Sequence, residues 1–252
     1  MSFEPIVALT SSYLHGLHSA TGLPWAAVIP IAAITLRGAV TLPFSLIARR
    51  RIKRLQEIRP LFGAWSHVYR KQIFRHYKGQ ITPDEWERKV IAQSLEKRKC
   101  LMRKYKCNPL YTFAFPMIQL PVFMGMSTTL RSMSGWGGFG TTFHEPQLAH
   151  EGIWWFQSLI EPDPLYVLPL VFGFVTLVNL EMQANLPRET RSRMQLILSN
   201  VGRVGTAALV CIAVNAPAGL SLYWLTSAFF SQLQNRLLES WIPLTSTSQG
   251  SR

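Results

Sequence analysis

The sequence predicts an all-α, polytopic membrane protein with five transmembrane helices and a basic helical hairpin between the first and second. Three observations support this prediction. Of the 252 residues, 48% are hydrophobic and 15% are charged, and the mean hydropathy is +0.13. Several apolar stretches without charge approach the roughly 20 residues that a helix needs to cross a bilayer core. Lys and Arg also concentrate in one long loop, whereas the next long loop carries acids and neither Lys nor Arg. Such asymmetry is typical of membrane proteins with a fixed orientation.

The first predicted crossing covers residues 24–47 and follows an N-terminal segment, residues 1–23. Arg37 is the only charged residue in this crossing and lies just past its middle. A charge at that depth costs about 2.5–3.5 kcal/mol on insertion scales. Arginine cannot avoid this cost by losing its proton. Arg37 is therefore predicted to face water, a partner or a substrate.

Residues 48–109 contain eighteen Lys and Arg against five Asp and Glu. Apolar residues recur at helical spacing as far as Tyr69, with a bend predicted at Pro60. A second helix is predicted from Thr82, because Thr82 can serve as N-cap and the following Pro-Asp-Glu suits a first helical turn. It ends near Tyr105. These features predict a basic helical hairpin, which either rests on lipid headgroups or receives a substrate.

The rest of the chain is predicted to hold the other crossings and an acidic outer loop. The loop, residues 132–164, has four acids and neither Lys nor Arg, and its aromatics predict a short interfacial helix within residues 151–156. Residues 24–240 are predicted to form the helical core, and residues 241–252 a short C-terminal tail. The four further crossings are predicted at residues 110–131, 165–181, 196–215 and 219–238.

The charge asymmetry predicts the orientation of the chain. Lys and Arg concentrate in loops that remain on the side of synthesis. Residues 48–109 and the C-terminus are therefore expected on that side, and the N-terminus across the membrane.

Catalytic and metal chemistry are not predicted. Cys100 and Cys107 are separated by six residues, and no second Cys/His pair completes a zinc site. The chain has no His-Glu-x-x-His, Gly-x-Ser-x-Gly or Walker A motif. We therefore expect no catalytic residue, metal or cofactor, and no enzymatic activity. Basic charge alone also gives no specific recognition of nucleic acid.

Polar residues within the predicted crossings admit two interpretations. Hydroxyls and amides inside membranes most often bond across helices. Together with Arg37 they could instead line a hydrophilic groove. The candidate groove residues are Arg37, Gln119, Thr35, Ser45, Asn179 and Thr226.

Six motifs resemble those of the YidC/Oxa/Alb membrane insertases, and they follow in the same order from about Trp25 to Leu238. No single motif is decisive, but their order and spacing are specific. The motifs are Arg37-Gly38 followed by Thr41-Leu42-Pro43, then Asn108-Pro109, Ile118–Phe123, Trp154–Leu159, Pro162–Pro169 and Pro217–Leu225.

The resemblance implies a five-helix core with a hydrophilic groove that opens towards the synthesis side and the lipid. Arg37 matches the arginine of that groove, which attracts acidic residues of a segment that must cross. The chain looks most like the mitochondrial cytochrome c oxidase assembly branch, which exports the C-terminal tail of oxidase subunit II. An Oxa-type general insertase, a non-translocating assembly scaffold and a small anion transporter are the alternatives, although no internal repeat favours a transporter.

The resemblance also implies partners and a location. Membrane lipid, newly made membrane proteins and accessory assembly factors are the expected partners, with ribosome contact weak or absent. The expected location is the mitochondrial inner membrane, with the N-terminus in the intermembrane space and the C-terminus in the matrix. A bacterial plasma membrane is the alternative.

Overall fold

The computed structural model describes residues 4–77, 80–107, 110–136, 145–184 and 193–244. Within these ranges the regular structure is helical, and β pairing is limited to isolated bridges, which confirms the all-α class. In chain order the elements are α1 (Glu4–Thr21), α2 (Trp25–Leu36), a π-helical turn (Arg37–Thr41), α3 (Leu42–Tyr77), α4 (Pro83–Lys104), α5 (Leu110–Met133), a 3-10 turn (Pro146–Ala149), α6 (Val167–Ala184), α7 (Arg193–Val214) and α8 (Ala218–Trp241).

One helical run in the described ranges is both long and apolar enough to cross a membrane. It extends without interruption from Trp25 to Tyr77 and includes α2, the π-helical turn and α3. Val167–Met182 and Ser199–Val214 are apolar but shorter. The count of five crossings therefore stays a prediction.

The helix that contains the first predicted crossing does not end near residue 47. α3 continues through the basic residues and through Pro60 as far as Tyr77. The helix continues where the sequence changes from apolar to basic, because Arg, Lys, Gln and Glu are good helix formers. Pro60 removes one backbone hydrogen bond without ending the helix.

One element is not predicted by the sequence, and one predicted element is absent from its place. The N-terminal segment, for which the sequence predicts no helix, forms α1, and its Leu14 is fully buried. The interfacial helix predicted within residues 151–156 is wrong. A turn closed by an antiparallel bridge between Ile153 and Phe156 occupies that position, and the 3-10 turn precedes it. Tryptophan favours the membrane interface whatever its backbone conformation, so the aromatic residues indicated depth and not a helix.

Some predicted features lie outside the described residues. They are Asn108-Pro109, part of the outer loop (residues 137–144), part of the segment between the third and fourth predicted crossings (residues 185–192) and the tail from residue 245.

Contacts divide the chain into two units. The first contains residues up to Leu42 together with Ile118–Arg236, and the second contains Pro43–Met117 together with the residues from Leu237 onward. The core of the first unit is built from α2, from residues on α1, α5, α6, α7 and α8, and from residues of the outer loop. Its buried side chains include Trp25, Val28, Ile29, Met126, Leu130, Phe172, Leu220, Tyr223 and Trp224.

Within the first unit, Asp163 attaches the outer loop to the start of α6. This carboxylate is only 2% exposed and accepts hydrogen bonds from Trp155 Nε1 at 3.0 Å and from the backbone N–H groups of Leu165 and Leu168 at 3.1 and 2.7 Å. Because Leu168 is the second residue of α6, Asp163 also satisfies one of the unpaired N–H groups at the start of that helix. The loop and α6 are thereby held together.

In the second unit, α4 lies against the C-terminal half of α3. Lys97 Nζ is 4.1 Å from the ring centroid of Trp65, and Lys89 Nζ is 4.0 Å from that of Tyr77. The predicted N-cap is present, since Thr82 Oγ1 accepts a hydrogen bond from Glu85 N at 3.4 Å. Cation–aromatic contacts thus join two helices that are too polar to share a large apolar core.

Candidate functional site

The site is centred on Arg37, which begins the π-helical turn between α2 and α3. The turn has a local cause. Pro43 cannot donate to the carbonyl of residue 39 and would clash with it in an α-helix, and Gly38 weakens the helix interior. The carbonyl of Arg37 instead accepts bonds from Leu42 N, five residues on, and from Thr41 Oγ1 at 2.8 Å. π-Helical turns of this kind are frequent at functional sites.

Arg37 is covered by the protein and has a neutral partner. The residue is only 6% exposed, and its Nη1 donates to Ser231 Oγ on α8 at 2.6 Å. The phenol of Tyr223, on the same helix, lies within electrostatic reach of the guanidinium. Among the residues that the structure describes, no carboxylate lies within 4.0 Å of Arg37. The charge is therefore bound but not neutralised.

Sequence reasoning identified Arg37 but missed the face of α8 that meets it. Tyr223, Ser227, Ser231 and Gln234 follow one another at spacings of four, four and three residues. This spacing places them along one side of a helix. Gln234 is buried, and its Oε1 lies 3.5 Å from Thr41 Oγ1. The sequence signal for this face is the helical spacing of its polar residues, which stands beside the apolar start of α8.

The other candidate groove residues have different surroundings. Asn179 is buried on α6, donates to the carbonyl of Ala228 at 3.0 Å, and has no partner for Oδ1 within the described ranges. Thr35 is exposed and bonds Tyr13 of α1. Thr226 is half-buried and returns its hydroxyl to the carbonyl four residues earlier, at 2.8 Å.

The remaining two candidates are Gln119, half-buried on α5, and Ser45, buried on the part of α3 that belongs to the second unit. Their membership of a groove with Arg37 stays a prediction.

Glu181 lies near the C-terminal end of α6. It pairs with Arg203, whose Nη2 lies 2.6 Å from Glu181 Oε1, and both side chains are about half exposed. This pair joins α6 to α7. Glu181 is therefore the counter-ion of Arg203 and not of Arg37.

The arrangement can bind a carboxylate. A guanidinium has five N–H donors, and one of them is satisfied by Ser231 within the described part of the chain. Hydrogen bonds between a guanidinium and a carboxylate are roughly twice as strong as bonds between neutral groups. In the described ranges, no three His, Cys, Asp or Glu side chains gather as metal ligands.

Known proteins resemble this chain over nearly its whole length. A protein from Pongo abelii named "Cytochrome c oxidase assembly protein COX18, mitochondrial" is 32% identical over 248 residues, which is 93% of this chain and 71% of the relative. The Homo sapiens protein of that name is 31% identical over 244 residues, with the same two coverages. "Mitochondrial inner membrane protein OXA1L" from Mus musculus is 26% identical over 233 residues, 92% of this chain and 49% of that protein.

The match to a family is equally extensive. The sequence profile described as "60Kd inner membrane protein" matches residues 16–245, which include the π-helical turn, α8 and every motif on which the resemblance rests. The resemblance seen in the sequence is thereby confirmed, and the chain belongs to the 60Kd inner membrane protein family, that is, the YidC/Oxa family.

Proposed function

We propose that this chain is a membrane protein insertase of the mitochondrial inner membrane that acts in the assembly of cytochrome c oxidase. Family membership and the two relatives named for oxidase assembly support this role. The single observation that carries the mechanism is Arg37, a buried cation held by the neutral Ser231. A permanent ion pair would have made that charge purely structural.

In the proposed mechanism Arg37 attracts an acidic segment of a client. The carboxylate replaces Ser231 as the partner of the guanidinium, because a charged acceptor binds it more strongly than a hydroxyl. The client's apolar segment then moves into lipid, which supplies the driving force without a nucleotide. A polar path through the protein lowers the cost of moving the acidic segment. The proposed client is the C-terminal tail of oxidase subunit II.

The topology belongs to the same proposal. Five helices cross the membrane, the N-terminus lies in the intermembrane space, and the C-terminus lies in the matrix. α3 and α4 form the basic hairpin on the matrix side. The contacts of Lys97 with Trp65 and of Lys89 with Tyr77 support that pairing, and the basic residues of both helices suit the matrix side.

The test is tail export in mitochondria that depend on this chain, measured by protease access to the client's tail from the intermembrane space. Arg37→Ala is expected to slow export of an acidic tail about fivefold or more, because a charge pair at about 4 Å contributes about 1 kcal/mol even in water. Arg37→Lys should retain part of the activity. A client whose tail acids are replaced by amides should respond little to either change.

Arg203→Ala is the matched control, since Arg203 also lies on an apolar helix but is exposed and already paired. It should leave export within about twofold of the unchanged chain. If Arg37→Ala exports an acidic tail as fast as the unchanged chain, the charge-attraction mechanism is wrong. If Arg37→Ala instead loses export of the tail but still supports normal oxidase assembly, the chain is a scaffold.

The similarity to the mouse OXA1L protein favours one second candidate, a general insertase with many clients. The two functions differ in client range. Crosslinking from position 37 to newly made mitochondrial proteins would separate them, because a dedicated factor should label oxidase subunit II far above other products.

A further inference from the structure

A second polar site lies within the second unit, where α3 passes the end of α8. A cleft of about 510 Å³ opens there. That volume falls in the range of roughly 300–1,000 Å³ that small-molecule sites occupy. Arg50, Lys53, Arg54 and Glu57, all on α3, form its charged wall. At spacings of three, one and three residues, they lie on one side of the helix.

The two walls of the cleft are held together by a cation that does not line it. Arg49 Nε donates to the carbonyl of Ile242 at 3.0 Å, and its guanidinium pairs with Glu239 near the end of α8. Arg49 and Glu239 therefore neutralise each other. Because Glu239 is paired with Arg49, it does not neutralise the cations that line the cleft.

The charge of the cleft calls for an anion. Within the part of the chain that the structure describes, Arg50, Lys53, Arg54 and Glu57 take part in no ion pair. Three cations and one carboxylate give the lining a net charge of +2. Two phosphodiester groups, each with one negative charge, would balance it.

The apolar residues of the cleft indicate where that anion comes from. Leu46, Trp241 and Ile242 complete the lining, and Trp241 is 61% exposed. Leu46 lies at the end of the apolar run that closes with Ile47, directly before the basic residues. Tryptophan at such a boundary is typical of the level of lipid headgroups. The proposed topology places this cleft on the matrix side of the membrane. Basic pockets beside membrane helices on that side bind anionic headgroups.

We propose that this cleft binds an anionic phospholipid with two phosphates, a diphosphatidylglycerol. Arg50, Lys53 and Arg54 hold the phosphates, and Leu46, Trp241 and Ile242 contact the first carbons of the acyl chains. The lipid would rest against α3 and the end of α8 and so stabilise their junction. This site is independent of the export mechanism at Arg37.

The test is native mass spectrometry of the full chain in detergent micelles, titrated with diphosphatidylglycerol or with phosphatidylcholine. Diphosphatidylglycerol should bind at least about tenfold more tightly. The triple variant Arg50→Gln, Lys53→Gln, Arg54→Gln should lose that preference.

The matched control replaces two other arginines and one other lysine of α3, all exposed and outside the cleft: Arg59→Gln, Lys71→Gln and Arg75→Gln. It removes the same charge and should change the affinity less than about twofold. Equal loss in both triple variants would mean non-specific attraction and overturn the proposal.

Two further measurements distinguish a lipid from other anions. Trp241→Ala leaves every cation in place, and it should weaken lipid binding several-fold but leave binding of inorganic pyrophosphate unchanged. Pyrophosphate that binds the unchanged chain as tightly as the lipid would make the ligand a soluble phosphate. Displacement of the lipid by an equal concentration of an acidic peptide would make it a polypeptide. Either result contradicts the lipid site. Neither result affects the test of the export mechanism, which measures tail export by the Arg37→Ala variant.

Discussion

Arg37 and Ser231 are 194 positions apart in the chain, yet NH1 of the one donates to Oγ of the other at 2.6 Å. A hydroxyl can orient a guanidinium in a dry environment, but it cannot neutralise it. Arg37 therefore keeps its attraction for a carboxylate while it is held in place. This combination is what the proposed transient binding of an acidic segment requires.

A permanent counter-ion at position 231 is expected to block that exchange. Ser231→Asp places a carboxylate where the hydroxyl now accepts from Arg37, and a client's acid would then compete with a tethered one. Export of an acidic tail should fall about fivefold or more, because even an ion pair at the dielectric constant of water contributes about 1 kcal/mol. The thermal unfolding temperature should not fall, since the new pair is buried and complementary.

The control for this variant is Ser231→Asn, which adds a similar volume and no charge. Its amide oxygen can still accept from Arg37, so export should stay within about twofold of the unchanged chain. Equal inhibition by Asp and Asn would show that volume matters at this position and charge does not. Normal export with Ser231→Asp would contradict the proposed role of Arg37.

Asp163 is expected to be the main attachment of the outer loop. Asp163→Ala leaves the indole N–H of Trp155 and two backbone N–H groups without their acceptor. Buried donors without partners cost about 1–3 kcal/mol each, partly recovered when water enters. The free energy of unfolding in detergent, followed by tryptophan fluorescence, should fall by about 2–4 kcal/mol.

Glu161→Ala is the comparison for Asp163→Ala. Glu161 is an exposed acid two residues earlier, and the loop uses its backbone carbonyl, which accepts from Ala218 N at 2.7 Å. Removing its side chain should cost less than about 0.5 kcal/mol. Similar losses from the two variants would mean that net loop charge, and not the hydrogen bonds of Asp163, stabilises this region.

Much of the helical architecture could be predicted because long apolar runs and helix caps are local signals. Predicted segments 110–131 and 219–238 correspond to α5 and α8 with small shifts at their ends. The N-cap at Thr82 was correctly identified from four consecutive residues. α1 was missed because its apolar residues are interrupted by Ser, Thr and His, and its burial depends on neighbours far along the chain.

The site was predictable only in part. The cost of a charge among apolar residues identified Arg37, and that argument needs no tertiary structure. Its bond to Ser231 depends on how α8 is rotated about its axis, which the sequence indicates only through the spacing of polar residues. The π-helical turn also had a local signal, Gly38 followed by Pro43. This pair predicts a π-helical turn only if the helix continues through both residues, which the sequence alone does not establish.

Cation–aromatic contacts are expected to hold α4 against α3. Lys97→Gln removes the ammonium that lies 4.1 Å from the Trp65 ring centroid, whereas Lys99→Gln changes an exposed lysine of the same helix. An exposed cation–π contact contributes about 0.5–1 kcal/mol. Amide hydrogen exchange in α4 should therefore speed up roughly two- to fivefold with Lys97→Gln and remain unchanged with Lys99→Gln. Equal acceleration would point to a general effect of charge.

Close packing of α6 on α7 is expected to depend on the missing side chain of Gly173. A Cβ at this position would lie 2.4 Å from Val210 Cγ2, whereas a Cβ at Gly205 of α7 would meet open space. Alanine is a better helix former than glycine by up to about 1 kcal/mol, but overpacking costs about 1–3 kcal/mol. Gly173→Ala should therefore lower the free energy of unfolding by about 1 kcal/mol, and Gly205→Ala should raise it or leave it unchanged.

A double-mutant cycle tests whether the contact with Val210 causes this loss. Adding Val210→Ala to Gly173→Ala should restore stability through a favourable coupling, because the methyl group that the new Cβ would meet is gone. Stabilisation by Gly173→Ala alone would mean that the two helices can separate without loss, and that their close approach is not what holds them together.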